Sequence, residues 1–137
     1  MSGKILCATD GTAHSAHAIE FAAKTASKSA AALTLCTINE ARGGARGPLI
    51  YAHEDADIDR ILAEAAETAK HQGAKSVQMV ALKSRDTAAA VVRYAEENGF
   101  GHIVVGTGDK HGIARLVLGS VAGAIASRAH CTVTIAR

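Results

Sequence analysis

The sequence has no Trp, one Pro and only 3% aromatic residues among 137, although 48% of its residues are hydrophobic. Small side chains make up the difference, 30 of them Ala. Such a composition suits closely packed helices lying on a sheet. It argues against a disordered chain, which is poor in apolar residues and rich in net charge. An excess of charge of one sign is also lacking. Fifteen Lys and Arg stand against 13 Asp and Glu, a formal charge of +2, which removes the strongest case for a nucleic-acid binder, a protein usually marked by a clustered basic face. No apolar run approaches the roughly 18 to 20 residues of a membrane span. Met1, Ser2, Gly3 and Lys4 lead into a strand-like run rather than a signal peptide, so a cytoplasmic location is expected. Cys7, Cys36 and Cys131 each lie in a hydrophobic strand-like run without Cys-x-x-Cys spacing. They are expected to be reduced, buried thiols acting as small hydrophobes rather than a redox pair or metal ligands.

What remains is a chain of one-domain length, residues 1–137, with alternating strand and helix signals. Residues 4–9 form a β-rich run that stops at Asp10-Gly11, a turn signal. Residues 12–29 place Ala18, Ile19, Ala22, Ala23 and Ala26 on one helical face. A second strand is expected over 33–38. Residues 39–52, with Gly43, Gly44, Gly47, Pro48 and solvated Arg42 and Arg46, read as a mobile loop. Ile58, Ile61, Leu62, Ala65, Ala66 and Ala69 mark a second helix, closed by Gly73. Strand three follows over 77–82, then a helix capped at Asp86-Thr87 with Ala88, Val91, Val92 and Ala95 inward. Strand four covers 102–105. A glycine-marked turn, Gly106-Thr107-Gly108-Asp109, and a helical stretch lead to Arg128, and a fifth strand covers 131–136.

Five strands alternating with four helical segments predict an α/β fold, an open parallel sheet in the order 3-2-1-4-5 with helices on both faces, Rossmann-like. In that order the winding reverses between strands one and four. Ligands of open α/β sheets bind beyond the carboxyl ends of the strands at such a switch point. The loops meeting there carry Asp10-Gly11 and residues 106–109, which makes them the expected site on fold logic alone.

The same segments resemble the universal stress proteins, within the group of folds related to the adenine nucleotide alpha hydrolases. The resemblance covers essentially the whole chain. It rests on Ala8-Thr9-Asp10-Gly11, on Ile103-Val104-Val105-Gly106-Thr107, on Leu118-Gly119-Ser120-Val121 and on Cys131-Thr132-Val133, in that order. It implies a stress-response module that binds an adenine nucleotide, ATP with or without Mg²⁺. Many members carry a glycine signature of Gly, two residues, Gly, nine residues, Gly, then Ser or Thr. Its first glycine matches Gly106 and its end matches Gly119-Ser120, whereas Asp109 stands where the second glycine belongs and Gly108 lies one place early. Glycines in a phosphate loop let backbone N–H groups approach the anion without a Cβ in the way. An aspartate there adds like-charge repulsion unless a divalent cation bridges it or Lys110, His111 and Arg115 offset it.

By the same resemblance, Ala8, Thr9 and Asp10 hold base and ribose, Thr37 stands against the base at the end of strand two, and Val105, Gly106, Gly108, Asp109, Lys110, Gly119, Ser120 and Val121 hold ribose and phosphates. On local grounds Asp10 serves equally as an Asx turn or helix cap. Arg85 replaces a frequent Gly and puts a cation near the expected adenine edge, and His102 replaces an Asp.

No catalytic set accompanies these residues. The Gly-x-Ser-x-Gly elbow, the P-loop and the GxGxxG fingerprint are absent, so at most weak ATP hydrolysis is expected. His14 and His17 share a helical face but have no third metal ligand in view. The last strand, β-prone and at the sheet edge, offers unpaired backbone groups to a second copy, and the resemblance implies a homodimer through residues 131–136. The alternative keeps fold and dimer but no nucleotide, as a module that binds a protein partner not identified by the sequence.

Overall fold

The computed structural model describes residues 3–107 and 120–137. In chain order it contains β1 (Lys4–Ala8), α1 (Ala13–Ser29), β2 (Ala32–Gly43), β3 (Leu49–Tyr51), α2 (Asp55–His71), β4 (Val77–Ser84), α3 (Thr87–Glu97), β5 (His102–Gly106), α4 (Ser120–Arg128) and β6 (Thr132–Ala136). Five strands pair in parallel in the order β4-β2-β1-β5-β6, the arrangement expected from the hydrophobic runs once the short β3 is set aside. Among the described residues β6 pairs with β5 alone.

Strand alternation explains the two cores. Successive side chains of a strand point to opposite faces of the sheet. Ile5, Cys7, Leu33, Leu35 and Val104 therefore pack on one face with the buried stripes of α1 and α2. Leu6, Cys36, Ile103 and Val105 pack on the other with Val91 and Val92 of α3 and Ala122 and Ile125 of α4. The alanines carry the first core. Ala18, Ala22, Ala23 and Ala26 of α1 and Ala65, Ala66 and Ala69 of α2 are all buried, and their small side chains let helix and sheet backbones approach closely.

The structure corrects the reading of residues 39–52 as a mobile loop. β2 runs on through Gly43 and folds back as an antiparallel hairpin, Ala41 opposite Tyr51, Arg42 opposite Ile50 and Gly43 opposite Leu49. Gly43 and Gly44 sit at φ +80° and +92°, backbone angles that cost glycine little and turn the chain sharply. The Arg85 guanidinium donates to the Gly43 carbonyl and so ties the hairpin to the end of β4. Three-residue β3, flanked by Pro48, is too short to stand alone and is held by its pairing with β2.

Candidate functional site

The β1–α1 turn is built from four polar side chains. Thr9 is buried, and its amide donates to the Cys36 carbonyl at 2.8 Å, prolonging the β1–β2 ladder by one bond. The Thr9 hydroxyl donates to Ser15 Oγ at 2.9 Å, and Ser15 Oγ donates to Asp10 Oδ1 at 2.9 Å. The same carboxylate oxygen accepts the Thr12 amide at 2.9 Å and the Thr12 hydroxyl at 2.6 Å. Thr12 in turn caps α1, its side chain accepting from the Ser15 amide. Partial burial alone would raise the Asp10 carboxyl. Hydrogen bonds from the Thr12 hydroxyl and amide and from Ser15 outweigh it and hold the carboxyl below the ordinary aspartate value. Asp10 is thus an Asx turn and an ionised, pre-oriented carboxylate at once.

Gly11 follows at φ +83°, where a Cβ would meet Ile61 Cγ1 of α2 at 2.9 Å. This glycine lets the turn pass under α2.

Beyond the carboxyl ends of the strands, between β1 and β5 where the winding reverses, opens a cleft of about 410 Å³, within the usual size of small-molecule sites. Ala8, Thr9 and Asp10 form one side, and Val105, Gly106 and Thr107 the other. Ser120, Val121 and Ala122 of α4 line it as well. At Gly106 a Cβ would come within 2.8 Å of the His14 carbonyl oxygen, so the floor tolerates only glycine without rearrangement. The ionisable groups among the described lining residues are Asp10, Glu40 and His53.

The hairpin supplies the remaining wall, through Ile38, Glu40, Ala52 and His53, with Thr87 of α3 beside them. Its anchor is Asn39, 2% exposed. Asn39 Nδ2 donates to the His53 carbonyl at 2.7 Å and Asn39 Oδ1 accepts the His53 amide at 2.9 Å. The Ala52 amide adds a bond to the Glu40 carbonyl at 2.9 Å.

Of the expected site residues, Ala8, Thr9, Asp10, Val105, Gly106, Ser120 and Val121 come together in this cleft. Gly108, Asp109, Lys110 and Gly119 lie outside the described residues. Thr37 is buried and does not line the cleft, while its neighbour Ile38 does. The one-residue offset follows from the period of two: Cys36 and Ile38 face the α3–α4 side, and β2 does not end near Thr37 but continues to Gly43. Arg85 also lies outside the lining, engaged with the hairpin. Sequence reasoning missed Glu40, Ala52, His53 and Thr87. Thr87 alone carried a usable signal, as the first residue of a capped helix. Among the described residues no group of three His, Cys, Asp or Glu side chains is placed to hold a metal, and no helix is long and apolar enough to cross a membrane.

A parallel sheet wound in both directions from its centre, with a cleft at the reversal, defines an α/β protein of the Rossmann-like kind. The chain belongs to the universal stress protein family, whose family model matches residues 1–137. Solved structures agree. A universal stress protein in complex with cAMP superimposes with a TM-score of 0.80 at 28% identity, over 99% of this chain and 97% of that one. A universal stress protein from Archaeoglobus fulgidus gives 0.79 at 21% identity over the whole of both chains. The Archaeoglobus fulgidus protein in complex with dAMP gives 0.73 at 20% identity, over 100% of this chain and 98% of that one. No curated protein matches the sequence.

Proposed function

We propose that the chain is a cytoplasmic, homodimeric stress-response module that binds an adenine nucleotide, ATP in the first instance, in the cleft between β1 and β5. The observation that carries this reading is the cleft itself. It lies at the switch point, is floored by a glycine with no room for a Cβ and is flanked by an Asp10 carboxylate already fixed by three hydrogen bonds. The cAMP complex of a 28% identical family member supports the choice of an adenine ligand.

In this reading Ala8, Thr9 and Asp10 hold base and ribose. Ile38 takes the apolar wall position first given to Thr37. Val105, Gly106, Gly108, Asp109, Lys110, Gly119, Ser120 and Val121 surround ribose and phosphates. Asp109, standing at the second glycine of the signature, would add a like charge to a phosphate site, which Mg²⁺ or Lys110 would offset. The role is binding and signalling, with no catalytic residue assigned.

Calorimetric titration with ATP and Mg²⁺, repeated with Asp109→Gly, tests the proposal. Wild-type binding that tightens on substitution supports a real site weakened by Asp109. No heat with either form overturns nucleotide binding. The second reading, favoured by Asp109 at the phosphate position, would then stand: a dimeric protein-interaction module without a nucleotide.

A further inference from the structure

The hairpin wall of the cleft is held at its base by one side chain, in register with the β2–β3 ladder. Asn39 is buried, and both polar ends of its amide are spent on the main chain of one residue fourteen positions later. The geometry copies a rung of a β ladder, with a side chain standing in for a strand. A buried amide satisfied twice is costly to disturb, because removing it leaves two backbone groups without partners. Its partner His53 lines the cleft, as do Ala52 before it and Ile38 and Glu40 on either side of Asn39. His53 is itself exposed. The clamp therefore fixes an exposed residue that lines a ligand-sized cleft.

We propose that Asn39 is a positioning residue for ligand binding: by holding the amide and carbonyl of His53, it sets the His53 imidazole against the bound nucleoside. This rests on the adenine-nucleotide reading above and assigns the hairpin side of the same cleft. His53 lines the cleft together with the carboxylates Asp10 and Glu40. That surrounding disfavours phosphates and suits the uncharged base and ribose. His53 thus orients the ligand, with its nucleoside end toward the hairpin and its phosphate end toward Gly106 and Ser120.

The test uses AMP as probe and the full chain in three forms, wild type, Asn39→Ala and His53→Ala. Calorimetry gives affinity, amide exchange reports the His53 N–H, and the histidine ring resonances report the imidazole, with His53 assigned by its loss in His53→Ala. Expected are a protected His53 amide and an AMP-dependent shift of its ring signal in the wild type. In Asn39→Ala, protection and ring shift are lost and affinity falls at least tenfold. In His53→Ala, affinity falls while the amide at position 53 stays protected. A merely structural Asn39 would leave the ring response of the folded variant intact. AMP binding by the wild type with unchanged affinity and ring response in Asn39→Ala, or unchanged affinity in His53→Ala, overturns the inference and leaves the nucleotide reading standing. If Asn39→Ala does not fold, His53→Ala decides, since its backbone clamp is untouched. Absence of AMP binding by the wild type overturns the nucleotide reading, and the inference with it.

Discussion

The alpha carbon of Gly106, at the end of β5, faces the carbonyl oxygen of His14 in the first turn of α1 so closely that a Cβ would stand 2.8 Å from it. The obstacle is backbone, not a flexible side-chain tip, so it can yield only if α1 moves on the sheet. Gly106→Ala should therefore destabilise the fold by about 1–3 kcal/mol, the usual cost of forcing extra volume into a packed region. A lowered urea midpoint with an unchanged slope checks this. An unchanged midpoint would mean that α1 shifts freely.

Asp10 makes stability depend on acidity in a defined direction. Its carboxyl titrates below the ordinary aspartate value because Thr12 and Ser15 hydrogen bonds outweigh its partial burial. The folded chain binds this proton less readily than the unfolded one, whose aspartate titrates near ~4. The contribution is therefore present above about pH 4 and is lost as pH falls through the lower folded value. Asp10→Ala should cost about 0.5–1.5 kcal/mol at pH 7. The gap from wild type, read from urea midpoints, should narrow by pH 3, and a gap constant with pH would contradict it.

The thiols should separate into two classes. Burial, with the neighbouring Cys36 adding to it, pushes the Cys7 thiol far up, and burial pushes Cys36 up to about 12. Both are fully buried, whereas Cys131 is partly exposed. Because the thiolate is the reactive form, a thiol reagent at pH 8 should modify Cys131 slowly and spare Cys7 and Cys36. In denaturant all three should react. Rapid modification of Cys7 in the native protein would point to an opening of the sheet.

The proposed dimer predicts that Val133→Pro gives a monomer in light scattering. Proline removes a backbone donor from β6 and is poorly tolerated where strands pair. Circular dichroism should retain the helical signal, since α1, α2 and α3 are formed elsewhere in the chain. A dimer unchanged by the substitution would place any interface away from β6.

The framework was legible because its code is local. Runs such as Leu33 to Ile38 and the stripes of α2 and α3 announce strands and helices through spacing alone, and five such strands leave few ways to wind a sheet. The order of the sheet and the β1–β5 side of the cleft followed from that. The hairpin did not, because Gly43, Gly44, Gly47 and Pro48 carry the signature of a loop, and Leu49, Ile50 and Tyr51 are too few to show a period. Thr37 was set against the base by resemblance, as the end of strand two, whereas β2 continues to Gly43 and it is Ile38 that lines the cleft. The bond between Asn39 and His53 joins residues far apart in the chain, one of them in a segment without pattern, and spacing rules have no purchase on such a pair.

The hairpin also separates length from function. Its paired rungs at Ala41, Arg42 and Gly43 and the Asn39 bonds to His53 lie on the sheet side of an exposed tip, residues 44–48. Added residues at an exposed tip disturb few contacts, so a fluorophore or short peptide grafted there would sit at the end of a stiff arm whose base is the cleft wall. The tip is a ready mounting point for a reporter of cleft occupancy.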